Sequence, residues 1–228
     1  MIPITLPPND IERFYRGGAA IAALRGRQPR PGRFPEDWVA STTEAFEEPG
    51  VGLSRLPDGR LLRDAITADP QAWLGTAHVD RWGADPALLV KLLDAGERLP
   101  VHAHPSGPVA REHLGTRFGK TEAWVVIGGS GPVWAGWREP VSADQLRAWV
   151  ERQDAEAMLG ALHRVAVEPG DSVFVPAAVP HAIGEGLLIV ELQEPSDMSV
   201  LLEWRGTGVE SEHVATVGLG WERGLAAV

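Results

Sequence analysis

From Ala87 onward the chain is a succession of short apolar runs, each closed within a few residues by Gly, Pro or Asp. Runs interrupted this often are too short for long helices, and turn residues on this spacing mark strands joined by tight connections. Strands are read at 87–93, 98–104, 121–127, 133–137, 163–167, 172–175 and 187–193. The 26 Gly and 19 Pro among 228 residues supply the turns between them. Short strands without alternating helices fit a sandwich or barrel, so the expected class is all-β dominated with minor α. One helix interrupts the series: Ser142 and Gln145 stand in a capping box, and Leu146, Trp149, Val150, Leu159 and Leu162 supply its apolar face. Segments 200–204 and 213–217 read as further strands.

The first 50 residues are the least regular. Gly17, Gly18, Pro29, Pro31 and Pro35 mark loops, 19–24 reads as a short helix, and 36–41 is short and ambiguous. Asp69 followed by Pro70 opens a short helix that Gly75 ends. No linker divides the chain. A single domain over 1–228 is therefore expected, with 1–75 an irregular and helical segment packed on the barrel, 85–205 its core and 206–228 C-terminal strands. Gly128 to Gly131 lies between two strands and reads as a hairpin turn, not a phosphate loop.

With 21 Lys+Arg against 31 Asp+Glu the net charge is −10, which repels nucleic acid and anionic membrane surfaces. There is no cysteine, which removes disulfides, thiolate metal sites and cysteine nucleophiles together. No apolar stretch approaches a membrane span, and Pro3, Pro7, Pro8 and Asp10 do not read as a secretory signal. A cytoplasmic protein is the expectation.

The chemistry concentrates in five short stretches. His102 and His104 are two apart in a strand, so both imidazoles point to one face about 7 Å apart, where they serve either as metal ligands or as a solvated pair. Glu122 opens the next strong strand and offers a carboxylate. His181 follows the turn at Pro176 to Pro180. Three imidazoles and a carboxylate make a mixed nitrogen–oxygen set suited to Zn²⁺, Fe²⁺, Mn²⁺ or Ni²⁺. Lys120, two residues before Glu122, is a candidate acid/base or anion-binding group, with desolvation expected to lower its pKa. Lys91, amid apolar neighbours, either has a buried anion partner or holds its ammonium in water at a sheet edge. Glu191 reads as a carboxylate inside the barrel or a solvated position, and Trp124 as a pocket wall or core. His78, His113, His163 and His213 lack partners at ligand spacing.

Two ordered patterns carry a resemblance. Gly96, five residues, His102-Ala103-His104, then Glu122, six residues and Gly129, resembles the first cupin motif with a long insertion. Gly170, five residues, Pro176 and then His181 resembles the second, with Ala178 where glycine is usual. More narrowly, Val101-His-Ala-His104-Pro105, Gly119-Lys-Thr-Glu122-Ala-Trp124, Phe174-Val-Pro176, Glu191-Leu-Gln193 and Pro195-Ser-Asp197 are similar to type I mannose-6-phosphate isomerases, and Trp38 to Ser41 to their N-terminal tryptophan–serine segment.

The resemblance covers roughly residues 10–200. It implies a cupin jelly roll and a zinc-dependent isomerase that interconverts mannose 6-phosphate and fructose 6-phosphate through an enediol. His104, Glu122 and His181 fall on the family's ligand positions, and His102 on the one that is normally glutamine. Leu201 stands where the family has an arginine after its Ser-Asp motif, and Arg205 lies four residues further on. Lys120, Glu191 and Arg205 are then the candidate catalytic groups, with Ser41, Lys91, Lys120 and Trp124 meeting the sugar phosphate. Two alternatives remain at this level: a sugar-phosphate-binding cupin with altered catalysis, and a different metal-dependent cupin such as an oxygenase.

Overall fold

The computed structural model describes residues 3–228. In chain order its first elements are β1 (Asp10–Ile11), α1 (Ala20–Leu24), β2 (Glu36–Val39), α2 (Leu62–Ala68), α3 (Pro70–Leu74), α4 (Thr76–Trp82), β3 (Leu89–Asp94), β4 (His102–Ala103) and α5 (Gly107–His113). There follow β5 (Glu122–Gly128), β6 (Gly131–Trp137), α6 (Ala143–Arg152), α7 (Ala155–Ala161), β7 (Leu162–Val167), β8 (Ser172–Val175), β9 (His181–Ile183) and β10 (Leu188–Gln193). The chain ends on β11 (Val200–Leu201), α8 (Glu212–Ala215) and α9 (Gly220–Ala226). Among the described residues, no helix is long and apolar enough to cross a membrane.

The strands form two antiparallel sheets. One runs β1-β2-β3-β10-β5-β8 and the other β11-β4-β9-β6-β7. Two-residue alternation decides what each sheet buries. On β5, Glu122, Trp124 and Val126 are buried while Val125 and Ile127 face out. The inner residues Leu93, Trp124, Val126 and Ile189 of the six-stranded sheet meet Val133 and Ile183 of the other in one core cluster. This is the jelly-roll arrangement, as two facing sheets and not one closed barrel. The outer face of the five-stranded sheet presents Val101, Ala182, Val200 and Leu202, covered by Leu146 and Val150 of α6, Met158 of α7 and Leu225 of α9.

Several local expectations change. The tail, read as strands over 206–228, carries α8 and α9 instead. Ser211 caps α8 by accepting the Val214 N–H, and Val217, Leu219 and Leu225 pack against Val200 and Leu202. The helix read as continuous from Ser142 breaks at Gln153, which takes a left-handed conformation, and Asp154 caps α7 afresh. Gly128 to Gly131 is no hairpin turn, because β5 and β6 belong to different sheets. Gly129 has φ +72° there, and a Cβ would run into the Gly186 carbonyl. The segment 98–104 is regular strand only at His102–Ala103, Pro100 offering no N–H to a ladder, although Leu99 N–H still donates to the Ile183 carbonyl. The ambiguous stretch near residue 36 is β2, paired with β3 so that Trp38 stands opposite Lys91. The N-terminal segment thus contributes strands to the larger sheet as well as helices.

Candidate metal centre and its cavity

The site is assembled by register. Across the five-stranded sheet Leu201 stands opposite His102, and His102 opposite His181, so these three side chains share the inner face. His104 follows two residues on. The rings crowd together, with centroids 4.1 Å apart for His102 and His181, 4.8 Å for His104 and His181, and 5.1 Å for His102 and His104. One ring nitrogen from each lies within 4.8 Å of the others, and all three residues are buried. Each Nδ1 faces a backbone carbonyl: Pro100 at 2.8 Å for His102, Met198 at 2.9 Å for His104 and Val179 at 2.8 Å for His181. An Nδ1–H spent on a carbonyl leaves the Nε2 lone pair for another partner.

Glu122 approaches from the opposite sheet. Its Oε2 lies 3.2 Å from His104 Nε2 and its Oε1 3.2 Å from His181 Nε2. The Trp124 indole N–H donates to Glu122 Oε1 at 3.0 Å and fixes the carboxylate. Lys120 Nζ spans the group, 2.9 Å from His104 Nε2 and 2.8 Å from Glu122 Oε2. The donors fit a divalent metal on two observations. His181 Nε2 is buried without a hydrogen-bond partner, and the donors already draw an ammonium into their midst.

Electrostatics points the same way. Burial, and next the neighbouring His181 and His104 rings, push His102 well below the ordinary histidine range. Burial and then the Lys120 ammonium take His104 down to about 3. Both rings are therefore neutral, the form that ligates. Burial works to raise Glu122, but Lys120 and then His104 outweigh it and hold the carboxyl well below its usual value. Lys120 reverses the sequence-based expectation. Burial lowers it, yet Glu122 and then Glu191 prevail and keep it above the ordinary lysine value.

Beside this cluster lies a cavity of about 400 Å³ with His102, Lys120, Lys91, Glu191 and Leu201 among its lining residues. Lys91 proves fully buried, with Glu36, Glu191 and Asp197 at 3.5, 3.6 and 3.7 Å and the Trp38 ring at 4.7 Å. Burial and then Glu122 raise the Glu191 carboxyl above its usual range, even with Lys91 and Lys120 nearby. Glu191 Oε1 has no hydrogen-bond partner. Trp124 is buried behind Glu122 and does not line the cavity.

Two candidates are not brought to the site. Ser41 is buried among backbone partners, its hydroxyl bonded to the Thr43 carbonyl. Arg205 is exposed, stacked on Trp204 and bonded to the Glu151 carbonyl, because Gln153 Oε1 accepts the N–H groups of Trp204 and Arg205 and pins that turn outside. Two residues that sequence reasoning did not reach line the cavity instead. Arg13 donates to both oxygens of Asp197 at 3.0 and 3.1 Å, and Glu36 accepts from Tyr15 and Trp38. A glutamate two positions before a tryptophan, as at Glu122 and Trp124, is the signal that marks Glu36.

No family model matches the chain. Mannose-6-phosphate isomerase ManA of Bacillus subtilis (strain 168) is 36% identical over 117 residues, covering 50% of this chain and 36% of the relative. The protein named probable mannose-6-phosphate isomerase GmuF, from the same organism, is 34% identical over 201 residues, covering 86% of this chain and 59% of the relative. The solved mannose 6-phosphate isomerase of Bacillus subtilis superposes with a TM-score of 0.79 at 26% identity, over 100% of this chain and 69% of that one. The matched stretch spans about a third of the first curated relatives and under two thirds of the longer matches.

Proposed function

We propose, from the premise that this chain belongs to the mannose-6-phosphate isomerase family, that the cavity beside the histidine cluster is the active site of a metal-dependent aldose–ketose isomerase acting on a hexose. The observation that carries this reading is the convergence of three buried imidazoles and an ionised carboxylate at the edge of a cavity that also holds a carboxyl raised above its usual range. The relatives' names make mannose 6-phosphate the reference substrate, and the resemblance pairs it with fructose 6-phosphate. A cytoplasmic location goes with the same reading.

His102, His104, Glu122 and His181 would hold the metal, with zinc the first choice for this donor set and Fe²⁺, Mn²⁺ or Ni²⁺ as alternatives. When bound, such an ion supplies a Lewis acid that polarises a carbonyl or an adjacent hydroxyl. The remaining work falls to the chain. Isomerisation moves a proton between neighbouring carbons through an enediol, which requires a base that returns the proton to the adjacent carbon. Glu191 suits this, since burial and Glu122 raise its carboxyl above the usual range, which makes it a better proton acceptor while it can still return the proton. Lys120, held as an ammonium, donates to oxygen where charge develops. Lys91 fixes Glu191 from the other side.

A coupled assay that interconverts the two hexose phosphates, or mannose and fructose, tests this reading. Turnover that a chelator removes and added zinc restores is expected. A folded, metal-loaded protein with no turnover on either pair would reject it.

A further inference from the structure

The buried charges of the cavity form a line. Lys120 lies 3.8 Å from Glu191, Glu191 3.6 Å from Lys91, Lys91 3.7 Å from Asp197, and Asp197 holds Arg13 at 3.0 Å. All five line the cavity. Lys120 marks the end at the histidine cluster, its Nζ 2.9 Å from His104 Nε2, and Arg13 marks the other end. The reacting carbons of a hexose belong beside the metal donors, because the ion acts on their oxygens. Whatever the sugar carries at its other terminus then falls toward Arg13.

Arg13 differs from the two lysines in what it has left to give. Lys91 is hemmed in by three carboxyl groups and keeps 3% of its side chain accessible, and Lys120 keeps 6%, against 16% for Arg13. Asp197 takes one N–H from each terminal nitrogen of Arg13, which leaves each of them a second N–H for an anionic oxygen. Among the described residues no other arginine lines the cavity. Arg33 is turned onto the Phe14 carbonyl, Arg205 lies outside, and β11 gives this wall only Leu201. The charge balance admits an anion. In and beside the buried part, Arg13, Lys91, Lys120 and a divalent ion outweigh Glu36, Glu122, Glu191 and Asp197 by at least one charge. Glu12, Glu48 and Glu210 also line the cavity but are exposed, where water and salt screen them. We infer that Arg13, on the segment between β1 and α1, holds the phosphate of the sugar phosphate, with Asp197 orienting its guanidinium. This inference rests on the isomerase reading for the placing of the sugar, and adds the residue that selects the phosphorylated form.

Two measurements separate its failure from failure of that reading. The zinc-loaded protein is titrated calorimetrically with mannitol 1-phosphate, which has no carbonyl to isomerise, at low and at physiological ionic strength. Arg13→Gln should weaken binding about 10–100-fold, the loss expected of a charge-assisted donor, and reduce its dependence on salt. Arg13→Lys keeps a charge beside Asp197 with different donor geometry, and should weaken binding about three- to tenfold. Asp197 keeps Lys91 and the Phe46 N–H as partners in both variants. Unchanged affinity in either variant, folded and with full zinc content, overturns the inference, as does a wild-type protein that does not bind the ester. Should Arg13→Gln not fold, Arg13→Lys alone decides.

In parallel, kcat/KM is compared for mannose 6-phosphate and mannose. Arg13→Gln should lower the ratio of the two about 10–100-fold, because only the ester presents the group that Arg13 holds. An arginine that merely supported the fold would lower both values and leave their ratio. An unchanged ratio overturns the inference and leaves the isomerase reading intact. No turnover of either sugar by the wild-type protein overturns the isomerase reading, and the calorimetry still decides the role of Arg13.

Discussion

Glu191 and Glu36 are buried carboxyls on the same sheet with opposite fates. Glu191 has no hydrogen-bond partner and is raised by burial and by Glu122, so it stands ready to exchange a proton. Changing Glu191→Gln should leave the metal in place and lower kcat by a factor of about 10²–10⁴, the usual range for a lost acid/base group. Unchanged kcat with full metal content would remove Glu191 from the mechanism. Glu36 is raised by burial but brought down to about 2 by Lys91 and then Arg13, with Tyr15 and Trp38 donating to it. A carboxyl with a folded value below its unfolded 4.5 contributes its full stabilisation above pH 4.5. That contribution is lost as the pH falls toward 2, on the order of a few kcal/mol in all. Acid titration of unfolding should show this limb, and Glu36→Gln should flatten it; an identical acid limb in the variant would contradict the pairing.

At the scale of elements, the turn before β9 matters most to the site. Ala178 sits at φ +69°, and its N–H donates to the His104 carbonyl at 2.8 Å, tying the approach of His181 to the strand that carries the other two rings. A side chain in this left-handed region is strained, and glycine relieves most of that strain. Ala178→Gly should therefore stabilise the protein by about 0.5–1 kcal/mol, or roughly 2 °C in Tm. A lower Tm would show that the methyl group packs usefully. The strands near 121, 133, 163, 172 and 187 were legible because alternation and turn residues are local signals. Three-residue β9 was not, since its existence depends on β4 and β6 lying on either side. The helices of the tail are not legible in the sequence, because Val217, Leu219 and Leu225 find their apolar partners only in Val200 and Leu202. Likewise the four donors could be read from spacing. Glu36 carries only the weak signal of a glutamate two positions before a tryptophan, and Arg13 carries none, because it reaches the cavity through its ion pair with the distant Asp197.

Across the whole molecule, the histidines belong to one sheet and its flanking loop, whereas Glu122 belongs to the other. A bound ion therefore links the two layers. Binding to the folded form alone stabilises it in proportion to the logarithm of metal concentration over Kd. Removal of the metal should lower Tm by several degrees while the β-sheet signature in the far-ultraviolet spectrum stays. A Tm indifferent to chelation would mean that the layers are held without it.

The most direct test titrates zinc into chelator-stripped protein while the hexose isomerisation rate and bound zinc are followed together. The rate should rise linearly and level off at one equivalent per chain, and the His102→Ala and Glu122→Ala variants should neither retain the ion nor turn over. Full activity in the stripped protein, or a stoichiometric ion retained by those variants, would contradict the assignment.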